Sequence, residues 1–104
     1  MPRYGLYTKF VARAGQRDAL VALLLEAARG MEGSVECEVY VVNTAPDEAE
    51  AIWVTEVWAS KEAHAASLTL PETRTAITRA MPLMAGVTQQ ITVEPVGGKG
   101  IAGA

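Results

Sequence analysis

Residues 52–70, IWVTEVWASKEAHAASLTL, decide the fold of this 104-residue chain. In residues 52–58 the even-numbered and the odd-numbered side chains are both largely apolar, which is typical of a β-strand covered on both faces. Ser60 offers an oxygen that can cap a helix, and the residues after it predict a short helix that carries His64. His64 is the only histidine of the chain, so we expect a chemical site, if there is one, in this stretch.

The composition is that of an ordinary globular domain, with 50% hydrophobic and 20% charged residues. The length suits one domain with one core. A net charge of −3, with scattered Lys and Arg, gives no reason to expect nucleic acid. The single cysteine excludes an internal disulfide. No apolar run approaches the ~20 residues that span a membrane, and residues 1–10 lack the apolar core of a signal peptide. We therefore expect a cytoplasmic protein that is not associated with membranes.

Three elements are predicted before this stretch. Residues 4–12 contain aromatic and β-branched residues and predict a first strand. In residues 16–30 the apolar positions follow i, i+3, i+4 spacing, which predicts an amphipathic helix. Residues 35–42 alternate and predict a second strand. The acidic segment 43–50 (NTAPDEAE) is rich in turn residues, so it predicts a loop that joins two antiparallel neighbours.

A second helical segment and a last strand are predicted after this stretch. Pro71 favours a helix start, and Thr69 and Glu72 have the spacing of a capping box. Arg74, Ile77 and Met81 share one face of this helix, and Pro82 ends it. Residues 87–94 alternate and predict the last strand. We therefore expect a domain over residues 1–96 and a Gly-rich tail over residues 97–104 that is flexible on its own.

The predicted order β-α-β-β-α-β indicates an α+β fold of the ferredoxin-like type, with both helices on one face of a four-stranded sheet. The other face would expose either Trp53 and Val57, or Ile52, Val54 and Trp58. Both sets are too apolar to remain in water. A second copy packed sheet to sheet about a two-fold axis is the simplest remedy, so we expect a homodimer.

Several segments resemble the antibiotic biosynthesis monooxygenase (ABM) family. They are GQRDAL at residues 15–20, IWVTEVWASKEAHAASL at 52–68 and MPLMAG at 81–86, and PVGG at 95–98 is similar to the ending of the bacterial quinol monooxygenases of that family. The resemblance covers nearly the whole chain. Its most specific part is Glu56-Val57-Trp58 followed by Ser60, Glu62, Ala63 and His64.

The resemblance implies a dimeric α+β barrel in which each subunit has a pocket between its sheet and its helices. It also implies that O2 oxygenates an electron-rich aromatic, a quinol or a polyketide anthrone, without flavin, haem or metal. In such a reaction the loss of a phenolic proton makes the ring reducing enough to pass an electron to O2. The protein supplies an apolar slot, a proton acceptor and a barrier to water.

The chain departs from the family at two positions. Many members of the broader family place a second histidine one helical turn after His64, where this chain has Ser67. The haem-degrading branch uses an Asn-Trp-His set with the Asn on the first strand, and residues 4–12 contain no Asn. Haem degradation is therefore not expected.

The candidate residues on the central strand have structural and functional interpretations. Trp58 is either a core residue or the wall of a pocket, and the two roles are compatible. Glu56 has the same parity as Trp58, so both lie on one face of the strand. A carboxylate there needs a partner. We favour a structural or orienting hydrogen bond for Glu56 over general-base catalysis.

The candidate residues on the helix are His64 and Ser67, which share a face at i and i+3. His64 is suited to proton transfer near neutral pH, although a lone histidine on an Ala-rich helix is more often a surface or core residue. Ser67 could orient a substrate oxygen.

Three further side chains, Tyr7, Tyr40 and Arg74, complete the candidates. Tyr7 and Tyr40 could donate to a quinol oxygen, and Arg74 could bind a substrate oxygen or pair with Glu72. Cys37 is interpreted as a core residue rather than a reactive thiol. One His, one Cys and no clustered carboxylates give no credible metal site.

Two functions are carried forward. The first is a cofactor-independent monooxygenase that oxidises a hydroquinone-like or anthrone-like aromatic with O2 to a quinone, with His64 and Trp58 as the catalytic pair. The alternative is a non-catalytic dimer of the same fold that binds a small ligand, because fold and family do not guarantee activity.

Overall fold

The structure, a computed structural model, describes residues 2–101. Its elements are β1 (Tyr4–Ala12), α1 (Arg17–Gly30), β2 (Cys37–Ala45), β3 (Glu48–Trp58), α2 (Lys61–Ser67), α3 (Pro71–Ala80), a short 3₁₀ turn (Met81–Leu83) and β4 (Met84–Val93). The strands form one antiparallel sheet in the order β2-β3-β1-β4. This confirms the ferredoxin-like α+β prediction, with the second helical region divided into α2 and α3. Residues 102–104 of the predicted tail lie outside the described residues.

The core lies between α1 and one face of the sheet. Leu20 and Leu24 of α1 pack in one buried cluster with Ile52 and Val54 of β3. Leu20 and Ile52 have no exposed surface at all. Burying a side chain of this size stabilises the fold by about 1.5–3 kcal/mol. The even-numbered side chains of β3 therefore face the helices.

The hairpin between β2 and β3 is tighter than the sequence predicted. Residues 43–50 were expected to form a loop, but β2 continues to Ala45 and β3 begins at Glu48. Only Pro46 and Asp47 remain between the strands. The loop prediction was wrong because backbone pairing needs no apolar pattern. Asn43 adds side-chain bonds across the pair, with its Nδ2 donating to the carbonyl oxygen of Trp53 at 3.0 Å.

The other strand ends are also displaced from their predicted positions. β2 begins at Cys37, two residues later than expected, and Val35 lies before the first paired residue and is 91% exposed. β4 begins at Met84, three residues earlier than expected, and pairs there with Ala12.

The helix caps confirm one prediction and correct another. Ser60 Oγ accepts a hydrogen bond from the backbone N–H of Ala63 at 3.1 Å, so it caps α2 as predicted. The capping box at Thr69 was wrong, because its Oγ1 instead donates to the carbonyl oxygen of Ala66 at 2.7 Å, at the end of α2. The residue that caps α3 is Leu70, which offers no side-chain hydrogen bond.

The odd-numbered side chains of β3, which include Trp53 and Val57, belong to the other face of the sheet. We call this the open face. One row across it joins Val41, Thr55, Tyr7 and Ile91 on the four strands. Val41, Tyr7 and Ile91 are 47%, 42% and 43% exposed. Within residues 2–101 each helix packs on the opposite side, so this apolar row has no cover inside the chain.

Among the described residues, none of the helices has both the length and the apolar character required to cross a lipid bilayer.

Candidate active site

The site is built on the last residues of β3. Trp58 is only 3% exposed, and Glu56 precedes it by two residues, so both side chains leave the same face of the strand. The indole Nε1 of Trp58 donates a hydrogen bond to Glu56 Oε1 at 2.9 Å. This bond gives the half-buried carboxylate a fixed position above the sheet.

The helix that follows brings His64 to the same place. Because Ser60 caps α2 directly after β3, the first turns of α2 lie beside the end of the strand. The imidazole meets the Trp58 indole at 5.5 Å between ring centroids and an interplanar angle of 68°, which is an edge-to-face contact. His64 Nε2 lies 3.9 Å from Glu56 Oε1. The structure therefore brings together Glu56, Trp58 and His64.

Tyr4 is a member of this cluster that sequence reasoning missed. The pairing of β1 with β3 places Tyr4 opposite Trp58. Its ring lies 5.3 Å from the imidazole of His64, centroid to centroid, at an interplanar angle of 38°. The only signal in the sequence is that Tyr4 begins one strand and Trp58 ends another. That signal becomes useful only once the two strands are known to be antiparallel neighbours.

β2 pairs with the edge of β3 that β1 leaves free, and it adds Tyr40 and Cys37 to the surroundings of the site. Tyr40 is paired with Glu56, and Cys37 with Trp58. Burial, then the Glu56 carboxylate, raises the pKa of the Tyr40 hydroxyl, with a further contribution from Cys37. Burial, then the charges of Glu56 and Glu38, raises the pKa of the Cys37 thiol to about 11. Both groups therefore keep their protons near neutral pH, and Tyr40 is a hydrogen-bond donor there.

Ser67 lies one turn after His64. Its Oγ donates to the carbonyl oxygen of His64 at 2.6 Å, so its proton is already used. The oxygen keeps lone pairs that can accept a hydrogen bond from a ligand.

The structure does not bring the remaining two candidates to the cluster. Tyr7 has odd parity in β1 and lies on the open face, on the side of the sheet opposite to Trp58. Arg74 is exposed on α3.

One cavity lies elsewhere, away from this cluster. Its volume is about 420 Å³, and its wall includes Arg3, Val35, Glu38 and Pro95. Arg3 and Glu38 are already joined by a 2.7 Å ion pair. The cluster around His64 is the better candidate site, because aromatic surface, a titratable ring and a carboxylate meet there. Within residues 2–101 no three side chains of the His, Cys, Asp or Glu type cluster as metal ligands would.

Comparison with known proteins agrees with this architecture. The family model of antibiotic biosynthesis monooxygenase (ABM) matches residues 3–79. The structure is similar to that of a candidate antibiotic biosynthesis monooxygenase from Chloroflexus aurantiacus J-10-fl, with a TM-score of 0.87, 46% sequence identity, and coverage of 96% of this chain and 99% of that one.

More distant structures share the fold. A candidate antibiotic biosynthesis monooxygenase from Caulobacter crescentus CB15 has a TM-score of 0.85 at 18% identity, with 92% of each chain covered. One from Deinococcus radiodurans has a TM-score of 0.73 at 23% identity, with 95% of this chain and 96% of that chain covered. No protein with a curated description matches the sequence. Since the family model spans most of its length, the chain belongs to the antibiotic biosynthesis monooxygenase family.

Proposed function

We propose that this protein is a cofactor-independent monooxygenase that oxidises a hydroquinone-like or anthrone-like aromatic with O2 to a quinone. The observation that carries the proposal is the contact of the single histidine with two aromatic rings on the helix-covered face of the sheet. A ring nitrogen beside aromatic surface suits a flat phenolic substrate, which needs both a stacking wall and a proton acceptor.

His64 accepts the phenolic proton. The O–H bond of the substrate breaks, the electron pair stays on the oxygen, and the imidazole becomes an imidazolium. The electron-rich anion then reduces O2. For an anthrone the overall change converts CH2 to C=O, with one oxygen atom entering the product and the other leaving as water with the two hydrogens. For a quinol one ring C–H becomes C–OH while the two hydroxyls become carbonyls, so the products are a hydroxyquinone and water. All the electrons come from the substrate, so the protein has to supply proton transfer and shelter from water.

The neighbours of His64 have complementary roles in this proposal. Trp58 forms the wall against which the substrate ring lies. Tyr40, whose hydroxyl stays protonated because its pKa is raised, donates to a substrate oxygen. Ser67 accepts from a second hydroxyl through its free lone pairs. Glu56 faces the imidazolium and balances its charge at 3.9 Å from Nε2. Tyr7 and Arg74 have no part in this site.

The proposal includes a homodimer formed through the open face. The exposed row of Val41, Tyr7 and Ile91 crosses three of the four strands. Since monomeric proteins rarely expose large apolar patches, a second copy related by a two-fold axis would cover the row on both subunits. The site on the helix-covered face stays accessible in such a dimer.

The test is oxygen uptake by metal-stripped protein with a panel of quinols and anthrones, corrected for autoxidation. We expect uptake proportional to protein and ¹⁸O from ¹⁸O2 in the product. His64→Ala should lower the rate about 10²–10⁴-fold, the usual contribution of a general base. Trp58→Phe should raise KM. Uptake at the wild-type rate in His64→Ala would contradict the role of His64. Tight binding of the aromatics without uptake would favour the non-catalytic alternative.

A further inference from the structure

The imidazole of His64 is enclosed by three side chains that differ in chemistry. Tyr4 lies against the ring at 5.3 Å, and the Trp58 indole meets it edge to face at 5.5 Å. The Glu56 carboxylate lies near Nε2, with Oε1 at 3.9 Å from that nitrogen. The ring therefore contacts two aromatic groups, and a carboxylate oxygen lies beside its Nε2 atom.

Glu56 itself is held on rigid structure. It lies in β3, which pairs with a strand on each side, and Oε1 accepts the indole N–H of Trp58 at 2.9 Å. The side chains of Glu56 and His64 are only 13% and 18% exposed. The carboxylate thus has little freedom to leave the position that faces Nε2.

We propose that Glu56 is a positioning residue that keeps the proton of neutral His64 on Nε2 and leaves Nδ1 as the atom that accepts the proton of the substrate. An ionised carboxylate has acceptor sites and no donor, so it stabilises an N–H that points to it and disfavours a lone pair there. When the substrate O–H breaks, the new N–H forms at Nδ1, and the positive charge of the ring lies beside the carboxylate. This inference rests on the proposed function for its role in turnover, but the position of the proton does not depend on turnover.

The proton can be located directly because the chain has one histidine. Protein labelled with ¹⁵N at histidine gives imidazole resonances from His64 alone, and one-bond and two-bond couplings identify the protonated nitrogen. The spectrum is recorded at a pH at which the ring is neutral. The same chain unfolded in urea supplies the intrinsic ratio of the two tautomers. In the folded wild-type protein we expect a clearly larger fraction of the Nε2–H tautomer than in the unfolded chain.

Glu56→Gln is the decisive variant, since it keeps the shape and removes the charge. An amide can turn either its oxygen or its NH2 group to the ring, so we expect the tautomer ratio to return toward that of the unfolded chain. With an active substrate we expect kcat to fall about tenfold or more while KM stays within about twofold, because proton transfer is affected and the aromatic wall is not. A merely structural role for Glu56 would leave the tautomer ratio unchanged.

Trp58→Phe addresses the case in which Glu56→Gln does not fold. It keeps an aromatic wall and removes the donor that anchors Glu56, so we expect a smaller change of the tautomer ratio in the same direction. The proposal is overturned if folded wild-type protein carries the proton on Nδ1, or if its ratio equals that of the unfolded chain. The absence of oxygen uptake with the expected tautomer would contradict the proposed function and leave the positioning role intact.

Discussion

At the scale of single residues, one carboxylate affects side chains on two strands. Glu56 accepts the indole N–H of Trp58 on β3, and its negative charge adds to burial, the larger cause, in raising the pKa of Tyr40 and Cys37 on β2. Burial together with a carboxylate in this position therefore widens the pH range over which the phenol and the thiol stay neutral. This protonation matters for reactivity, since the thiolate is the form of cysteine that reacts with electrophiles.

This pKa shift gives a prediction for Cys37. Its folded-state pKa of about 11 lies above the ordinary 9.0, so we expect slow alkylation by iodoacetamide at pH 8 and a steep rise of the rate toward pH 11. The folded protein holds the thiol proton more tightly than the unfolded chain. Its contribution to stability is therefore complete below pH 9 and is lost as the pH rises from 9 to 11.

The variants for this prediction are Glu56→Gln and Glu38→Gln. The charge of Glu56 contributes more to the shift than that of Glu38, so alkylation at pH 9 should accelerate more in Glu56→Gln. Mass spectrometry of the intact chain measures the rate. Equal rates at pH 9 in wild-type and Glu56→Gln protein would contradict the electrostatic part of the explanation.

Which site residues the sequence could indicate depends on their distance along the chain. Glu56, Trp58 and His64 were grouped in advance because strand parity and one helix start determine their relation. Tyr4 joins them through the pairing of β1 with β3, and no local pattern encodes that pairing. Tyr7 was named together with Tyr40 because both faces of the strands are apolar, so parity alone could not assign a face. The pairing of β1 with β3 places Tyr7 on the open face.

At the scale of elements, the seven-residue helix α2 is the weakest support of the site. A helix this short has little stability of its own, and it contributes only Ala63 to the buried residues. The Ser60 cap therefore carries a large share of its stability, and His64 depends on it for position.

Ser60→Ala tests this dependence. We expect a loss of about 1 kcal/mol in the free energy of unfolding, the usual effect of removing an N-cap hydroxyl, measured by urea denaturation with tryptophan fluorescence. Ser34→Ala is the matched control, because Ser34 is exposed in the turn after α1 and should change stability by less than about 0.5 kcal/mol. Equal losses in the two variants would show that the cap of α2 has no special weight.

Element types and their order followed from periodicity, but several element ends did not. Backbone pairing extended β2 and β3 into the acidic segment 43–50, where side-chain pattern had indicated a loop. Thr69 has the right spacing for a capping box, yet its hydroxyl satisfies the carbonyl of Ala66 instead. Both differences are decided by which hydrogen-bond partner lies nearest in the folded chain, and the sequence alone does not give that distance.

At the scale of the whole molecule, the sheet separates two tasks. The face covered by the helices holds the core and the cluster around His64. The opposite face is the open face. There Lys9 Nζ lies 5.8 Å from the centroid of the Trp53 ring, and it forms an ion pair with Glu48 at 2.6 Å. A charge already engaged within the subunit leaves the apolar row available for sheet-to-sheet packing. Stable interfaces bury about 1,200–2,000 Å² in total, and a face of four strands can supply such an area.

Ile91→Lys tests whether the open face is the dimer interface. Ile91 is 43% exposed in the single chain, so a lysine there can extend into water in a monomer and the fold should tolerate it. In a dimer packed through the open face the same lysine is buried in an interface that excludes water. An unpaired charge in such a place is costly. We therefore expect wild-type protein to sediment as a dimer and Ile91→Lys as a monomer at the same micromolar concentration.

Leu25→Lys is the matched control for this experiment. Leu25 is exposed to nearly the same extent, 41%, but it lies on α1, on the opposite side of the molecule. The same substitution there should leave the dimer intact, which separates a specific interface from a general effect of added charge. If both variants sediment with the mass of the wild-type protein, the open face is not the interface. If Ile91→Lys is a monomer that still shows the His64 tautomer of the wild-type protein, the arrangement around His64 belongs to each subunit and does not require its partner.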